Sequence, residues 1–287
     1  MTMRLAVITD IHHGPPTQTK RGDAALALTA EFVRFANEQR VDAVLELGDR
    51  ISDVDPATDH ANMAEVARLL DGLAMPRHHL DGNHDLIHLD RADNARILGR
   101  ESGHRIVGLG AWDLVLWQAD PATRHDGVRG LALKDDDFTW LADVAKQATR
   151  PLLIASHTPI SPHPMTGNFY FENIPQCGAF PQAAAMRRAL GEARVPVAAI
   201  SGHVHWNTLA ADNGITYLTQ QSLTESFTTS GEPAGAWGLI TLGDDIRWQV
   251  FGRDPFEARL APAATRWKPV MQWPREAHAA ESARVAS

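Results

Sequence analysis

Five short strand-like segments in this chain, four of them largely apolar, each end on side chains that can bind a metal ion or carry a proton. Residues 4–9 run into Asp10-Ile11-His12, and residues 42–47 into Gly48-Asp49. Residues 77–81 lead into Gly82-Asn83-His84-Asp85, residues 151–156 into His157, and residues 196–201 into Gly202-His203-Val204-His205. The largely apolar segments suit strands buried on both faces, as in a parallel sheet covered by helices. Such folds place chemistry at the carboxyl ends of strands, where residues remote in sequence converge.

The segments between the runs support that reading. Leu26, Ala30, Val33 and then Ala36 or Asn37 recur at helical spacing, with Asp23 placed to cap them. A second helix fits residues 59–73, with Ala64, Ala67, Leu70 and Leu73 on or near one face and Pro76 stopping it. The βαβα order argues for an α/β fold. Further on, residues 105–109 and 111–119 read as strands joined across Gly110, and residues 138–148 and 181–192 as helices. Asp135-Asp136-Asp137 stands at the positive end of the first of these. After His205 the pattern turns to short strands at 208–211, 216–219, 237–242 and 247–251. Residues 1–260 are expected to form one domain. The tail at 261–287, rich in Ala, Pro and charge, reads as a surface strap or a partly disordered segment.

Composition removes several classes. The one cysteine, Cys177, excludes an internal disulfide and a Cys-rich zinc module, and reads as a small buried hydrophobe. No apolar run approaches the roughly 18 residues of a membrane helix, and the chain opens on a strand rather than a basic leader. A cytoplasmic protein without a membrane partner is the expectation. With 27 basic against 35 acidic residues the net charge is −8, which offers no basic stripe to long nucleic acid. Two bound divalent cations would bring that to about −4 and focus positive charge at one spot. A small phosphorylated substrate is therefore compatible with the charge, and so is a homo-oligomer.

In Asp10-x-His12 and His203-x-His205 the named side chains point the same way if the backbone stays extended, so each pair can grip an ion cluster from one side. Gly48, Gly82 and Gly202 let the chain turn sharply and approach closely. Taken singly, each motif has an ordinary reading as a capped turn or a hairpin. The weight lies in the ordered set, each member following a strand-like segment.

That order resembles the calcineurin-like metallophosphoesterase superfamily over residues from about 4 to 250. Among its branches the chain is most similar to bacterial class III cyclic nucleotide phosphodiesterases and glycerophosphodiesterases, in size and in lacking a large cap domain. The resemblance implies a four-layer α-β-β-α sandwich with mixed sheets and a dinuclear metal centre. It assigns Asp10, His12, Asp49 and His205 to one ion, and Asp49, Asn83, His157 and His203 to the other, with Asp49 bridging. Such mixed imidazole, carboxylate and amide ligands suit Mn, Fe or Zn better than Mg or Ca. The implied reaction is hydrolysis of a small phosphodiester by a hydroxide that bridges the ions. His84 then protonates the leaving oxygen or stabilises the transition state, and Asp85 orients its ring. Phosphomonoester hydrolysis on the same core is the alternative. A nuclease, a pyrophosphatase and a non-catalytic scaffold rank lower, the last because every signature residue is present.

The surroundings leave more open. His13 reads equally as a rim residue or a solvent-facing one, and Arg50 as a fork for a phosphate oxygen or a partner of a nearby acid. The Gly48-Asp49-Arg50 order lacks the tyrosine that purple acid phosphatases place nearby as a ligand. His79 is expected to face the core and His78 not, with neither a ligand, while Trp206 reads as core or as a buttress. Residues 158–180, with Asn168-Phe-Tyr-Phe171 and Phe180, can stack a base, cover the site, or fold back as a packed loop. Residues 220–235 are a second candidate rim.

Overall fold

The computed structural model describes residues 2–124, 130–261 and 263–264. The first half is β1 (Met3–Ile8), α1 (Ala25–Gln39), β2 (Ala43–Glu46), α2 (Pro56–Leu70), β3 (Arg77–His79) and α3 (Arg91–Ile97). A hairpin of β4 (Arg105–Leu109) and β5 (Trp112–Leu116) follows, then a small ribbon of β6 (Thr123–Arg124) and β7 (Gly130–Leu131). Next come α4 (Asp135–Gln147), β8 (Leu152–Ser156), the single turn α5 (Pro175–Gly178), α6 (Ala183–Leu190) and β9 (Val197–Ser201). The chain closes with β10 (Thr208–Asp212), β11 (Ile215–Thr219), β12 (Trp237–Leu242), β13 (Ile246–Phe251) and β14 (Phe256–Leu260). The strap expected over 261–287 lies almost wholly outside the described residues.

Two six-stranded mixed sheets result, ordered β14-β13-β12-β1-β2-β3 and β10-β11-β9-β8-β5-β4. In the first, β1, β2 and β3 are parallel; in the second, β5, β8, β9 and β11 are. Alternate residues of the apolar runs serve opposite faces, as a period of two requires. Leu5 and Val7 of β1 join Leu153 and Ala155 of β8 and Ala198 and Ile200 of β9 in the core between the sheets. Ala6 and Ile8 instead meet Phe32, Ala36, Val66 and Leu70 of the helices α1 and α2. On the far side, Ile154 and Ala199 meet Leu141, Ala145, Met186 and Leu190 of α4 and α6. The layers are α-β-β-α, as the resemblance implies. No helix among the described residues is long and apolar enough to cross a membrane.

Several local expectations need correction. Asp23 does not cap α1. It lies in a 3-10 turn, Gly22–Ala24, and the helix starts behind Ala24 with no side-chain cap. The buried face of α1 is Ala25, Thr29, Phe32 and Ala36, one position away from the expected stripe. Helix α2 begins earlier than expected because Asp55 caps it, accepting from Ala57 N and Thr58 N at 3.0 Å, with Pro56 in the first turn. Helix α3, started by a capping box between Asp90 and Asp93, and strand β14 were not expected at all.

The inter-sheet core yields a direct test. Leu153 is fully buried among side chains of both sheets, so Leu153→Ala should cost about 2–5 kcal/mol in urea unfolding. A loss under about 1 kcal/mol would mean that this layer is not close-packed.

Candidate metal centre

The carboxyl ends of β1, β2, β3, β8 and β9 meet at one edge of the sandwich. Beyond the strands the pairing continues through the loops: Asp10 N donates to Gly48 O at 2.9 Å and His12 N to Asp49 O at 3.0 Å. Bonds across the sheets close the assembly. His203 N donates to Asp10 Oδ2 at 3.0 Å, and His157 Nδ1 to Leu47 O at 2.9 Å.

The backbone at these positions is not extended, which corrects the geometry expected for the Asp-x-His and His-x-His pairs. Asp10, His12, Asp49, His203 and His205 have φ of 49°, 48°, 57°, 69° and 60°. Non-glycine residues seldom adopt this left-handed region, at a cost on the order of 1 kcal/mol each. The reversals turn each side chain toward a common point instead of along the strand direction. Two glycines permit the crowding. A Cβ on Gly82 would collide with Asp49 Oδ1, and one on Gly202 with the Thr9 hydroxyl and Asp10 Oδ2.

Two donor clusters form and share one residue. Asp10, His12, Asp49 and His205 bring one ligand atom each within 4.8 Å of one another, as do Asp49, His157 and His203. His12 Nε2 lies 3.0 Å from His205 Nε2 and 3.7 Å from Asp49 Oδ2; His157 Nε2 lies 3.4 Å from Asp49 Oδ2. Asn83 adds its amide oxygen, 3.2 Å from His157 Nε2. Three of the four imidazoles have one nitrogen anchored outside the cluster: His157 Nδ1 on Leu47 O, His203 Nε2 on Cys177 O at 2.8 Å, and His205 Nδ1 on Glu225 Oε2 at 2.7 Å. Their other nitrogens are left for an ion, the arrangement that fixes ring orientation in metal sites. All seven expected metal residues therefore come together, and their donor chemistry fits two cations.

Electrostatics follow from this crowding without an ion. Burial opposes charge on Asp49, but His157 and His84 outweigh it and hold the carboxyl well below its ordinary range. Burial likewise opposes charge on His157 and His205, yet Asp49 lifts the first to about 9, and Asp10 with Glu225 lifts the second to about 9. His203 is pushed down to about 4 by burial and by the neighbouring His157.

His84 and Asp85 part company. The His84 ring lies edge-on to His12, with centroids 5.0 Å apart, and its Nδ1 pairs with Asp53 rather than Asp85. Asp85 cannot orient that ring, because its carboxylate is fully buried on the other side of the turn. There it accepts from Asp49 N at 2.9 Å, Arg50 N at 2.8 Å and Gly82 N at 2.9 Å. Burial, opposed by Arg50 and reinforced by Asp49 and Glu46, raises Asp85 to about 6. Arg50 is equally buried, on Glu46 at 2.7 Å, Asp81 at 3.2 Å and Asp85 at 3.3 Å. It is the partner of neighbouring acids and not a fork for phosphate.

The remaining surroundings sort themselves out. His13 pairs with Glu65 at 2.8 Å. His79 is buried on Glu46, while His78 is partly exposed. Trp206 is half-buried and packs edge-on to His163 rather than in the core. The 158–180 loop is both packed and part of the site. Asn168 donates to Val204 O at 2.8 Å, and Phe169, Tyr170, Phe171, Ile174 and Cys177 line the cavity. Tyr170 stacks edge-on to His205, but its hydroxyl bonds Thr19 Oγ1 at 2.7 Å. Residues 220–226 are not a rim. They are buried, with Ser222 Oγ on Asp10 O at 2.7 Å and Thr224 Oγ1 on Ile11 O at 3.1 Å. Glu225 and Asp53 were missed in the sequence. The one available hint for Glu225 is an acid inside a polar run; Asp53 carries only its nearness to Asp49.

Residues 3–207 match the calcineurin-like phosphoesterase family, and the chain belongs to it. No curated protein matches the chain. Among solved structures, a dimetal phosphatase from Danio rerio is similar with a TM-score of 0.69 at 17% identity, over 91% of this chain and 99% of that one. Purple acid phosphatase PPD1 from yellow lupin gives 0.60 at 10% identity, over 91% of this chain and 54% of that one. GAP50, the anchor in the inner membrane complex of Plasmodium, gives 0.59 at 14%, over 92% and 90%. At these identities the likeness is one of fold.

The raised histidines set the pH dependence of metal uptake. Without an ion His157 and His205 keep their protons up to about pH 9, so ligation at neutral pH must displace them. Affinity for Mn²⁺ should fall as pH drops from 8 to 6, by about tenfold per unit for each proton displaced. Calorimetry in buffers of different ionisation enthalpy would count those protons; an affinity flat over this range would contradict the ligand assignment.

Proposed function

We propose that this calcineurin-like phosphoesterase hydrolyses small phosphodiesters at a pair of metal ions held by Asp10, His12, Asp49, Asn83, His157, His203 and His205. The observation that carries the reading is the pair of donor clusters joined through Asp49 at the floor of a cavity of about 630 Å³. Mn, Fe or Zn suits such donors. When bound, such a pair polarises a phosphate oxygen and makes water nucleophilic at neutral pH.

The chain's own residues supply the rest. Asp49, common to both donor clusters, would hold the two ions at one carboxylate and offset part of their repulsion. Asn83, a neutral donor, would leave more positive charge for the substrate's oxygens. His84 lines the cavity outside both clusters. With Nδ1 on Asp53, its Nε2 is the nitrogen that delivers a proton to the departing ester oxygen. Asp53 takes the orienting role first given to Asp85, and its carboxyl is held low mainly by the hydrogen bond from His84.

The cavity walls support a diester. Ile87 and Phe169, each 56% exposed, are large apolar side chains at the lining, beside Phe171 and Ile174. The space exceeds what a bare phosphate needs and leaves room for two organic groups, one of them flat enough to lie on an aromatic ring. A cyclic nucleotide or a glycerophosphodiester fits this class, and the sequence resemblance to class III phosphodiesterases points the same way. Phosphomonoester hydrolysis on the same residues remains the competing reading.

Stripping the metals, reloading with Mn²⁺ and comparing matched aryl phosphate diester and monoester substrates should give a clear diester preference. Monoester preference would move the protein to the competing reading, and no hydrolysis of either with both ions bound would refute catalysis of this type. His84→Ala should keep both ions and lose on the order of 10²–10⁴ in rate with a poor leaving group. Unchanged turnover on such a substrate would take His84 out of the reaction.

A further inference from the structure

One lysine in the cavity has no protein partner. Lys20 is only 8% exposed, although residues 15–18 of the loop before it are exposed. Its side chain lines the cavity with Asp49, Asn83, His84 and His205. Among the described residues its Nζ makes no hydrogen bond, and no carboxylate lies within 4 Å of it. The ammonium is not among the buried atoms left without a partner, so it opens onto the cavity instead of being sealed in protein. The nearby Asp53 is already taken by His84.

The backbone holds this residue in place. Thr17 and Lys20 exchange both main-chain bonds, at 3.0 and 2.9 Å, around Gln18 at φ 53°. On the other side Lys20 pairs with Glu225 in an isolated bridge, Arg21 N donates to Thr224 O at 3.0 Å, and Ser226 Oγ donates to Thr19 O at 2.6 Å. Thr19 Oγ1 also meets the Tyr170 hydroxyl. The turn is thus tied to the segment that anchors His205 and to the aromatic wall.

We propose that Lys20 is an anion-binding residue of this cavity, its ammonium taking a non-bridging oxygen of the phosphate ester seated over the Asp10–His12–Asp49–His205 cluster. The proposal rests on the phosphoesterase reading and deepens it. It adds a fixed protein cation to the charge that the ions supply, at the point where negative charge builds on phosphorus-bound oxygen. It also assigns a task to the exposed loop at 15–18, which brings the lysine to the site without burying any apolar residue.

The test uses the Mn²⁺-loaded protein with inorganic phosphate as probe, read by calorimetry, beside metal content and ester kinetics. Lys20→Met and Lys20→Gln should each bind the same number of ions as the unaltered protein. Both should bind phosphate about tenfold or more weakly, the loss of one charge-assisted hydrogen bond. KM for the ester should rise more than kcat falls, and Lys20→Arg should recover most of the phosphate affinity. Equal phosphate affinity in the unaltered and Lys20→Gln proteins overturns the proposal, as does an Arg variant as weak as the Met one. If phosphate binding weakens as expected while no ester is hydrolysed by the unaltered protein, the anion site stands and the phosphoesterase activity falls.

Discussion

The Arg50 guanidinium, fully buried, lies against Glu46, Asp81 and Asp85, and these acids reach back to the chain on either side of it. Glu46 accepts from Gly48 N at 2.6 Å, and Asp85 from the amides of Asp49, Arg50 and Gly82. One cation and three anions in a dry pocket cannot separate without stranding charge, a loss of several kcal/mol. Arg100, on Asp81, brings a second cation to the cluster. The ends of β2 and β3 are locked together by this arrangement, with Asp49 at one end and Asn83 at the other. Two donors of the second cluster, Asp49 and Asn83, are then placed relative to a scaffold that lies behind them.

The same locking explains how the chain tolerates five left-handed residues at the site. Each reversal is unfavourable alone, and each is held by bonds from more than one strand end. Asp10 illustrates the point: its main chain is paired with Gly48 O and with Ser222 Oγ, and its carboxylate with Thr9 Oγ1 and His203 N. Local preference is overruled where the packing over-determines the conformation. What results is a set of carboxylates held against raised imidazoles, whose protons a cation has to displace.

The sequence made the donors legible because ligand chemistry is narrow. Each Asp, His or Asn motif after a strand is ordinary alone, but their order was distinctive. The four-layer fold was legible for a related reason, since β1, β8 and β9 are apolar on both faces. The sequence was poor at anything decided by a second chain segment. Asp85 adjoins His84 and invites pairing with it, yet three amides and a guanidinium draw it inward, and Asp53 arrives from the β2 loop instead. Glu225 stands 20 residues from His205, in a run whose polarity suggested solvent; those side chains instead satisfy buried carbonyls of the first loop. Lys20 gave no signal because its meaning lies in what does not surround it.

The donors of the first cluster come from both sheets, with Asp10 and His205 lying 195 positions apart by their numbering. No fragment of the chain short of nearly the whole fold can present that cluster. An ion therefore cannot template early stages of assembly, as it does in small metal-nucleated domains where ligands are neighbours in sequence. An ion held by these residues would arrive at a nearly finished molecule and act as a latch between the two halves of the sandwich. Chelation should then loosen the seam between the sheets before it affects either sheet, so that the first backbone amides to lose protection against exchange are those of the strand-end loops.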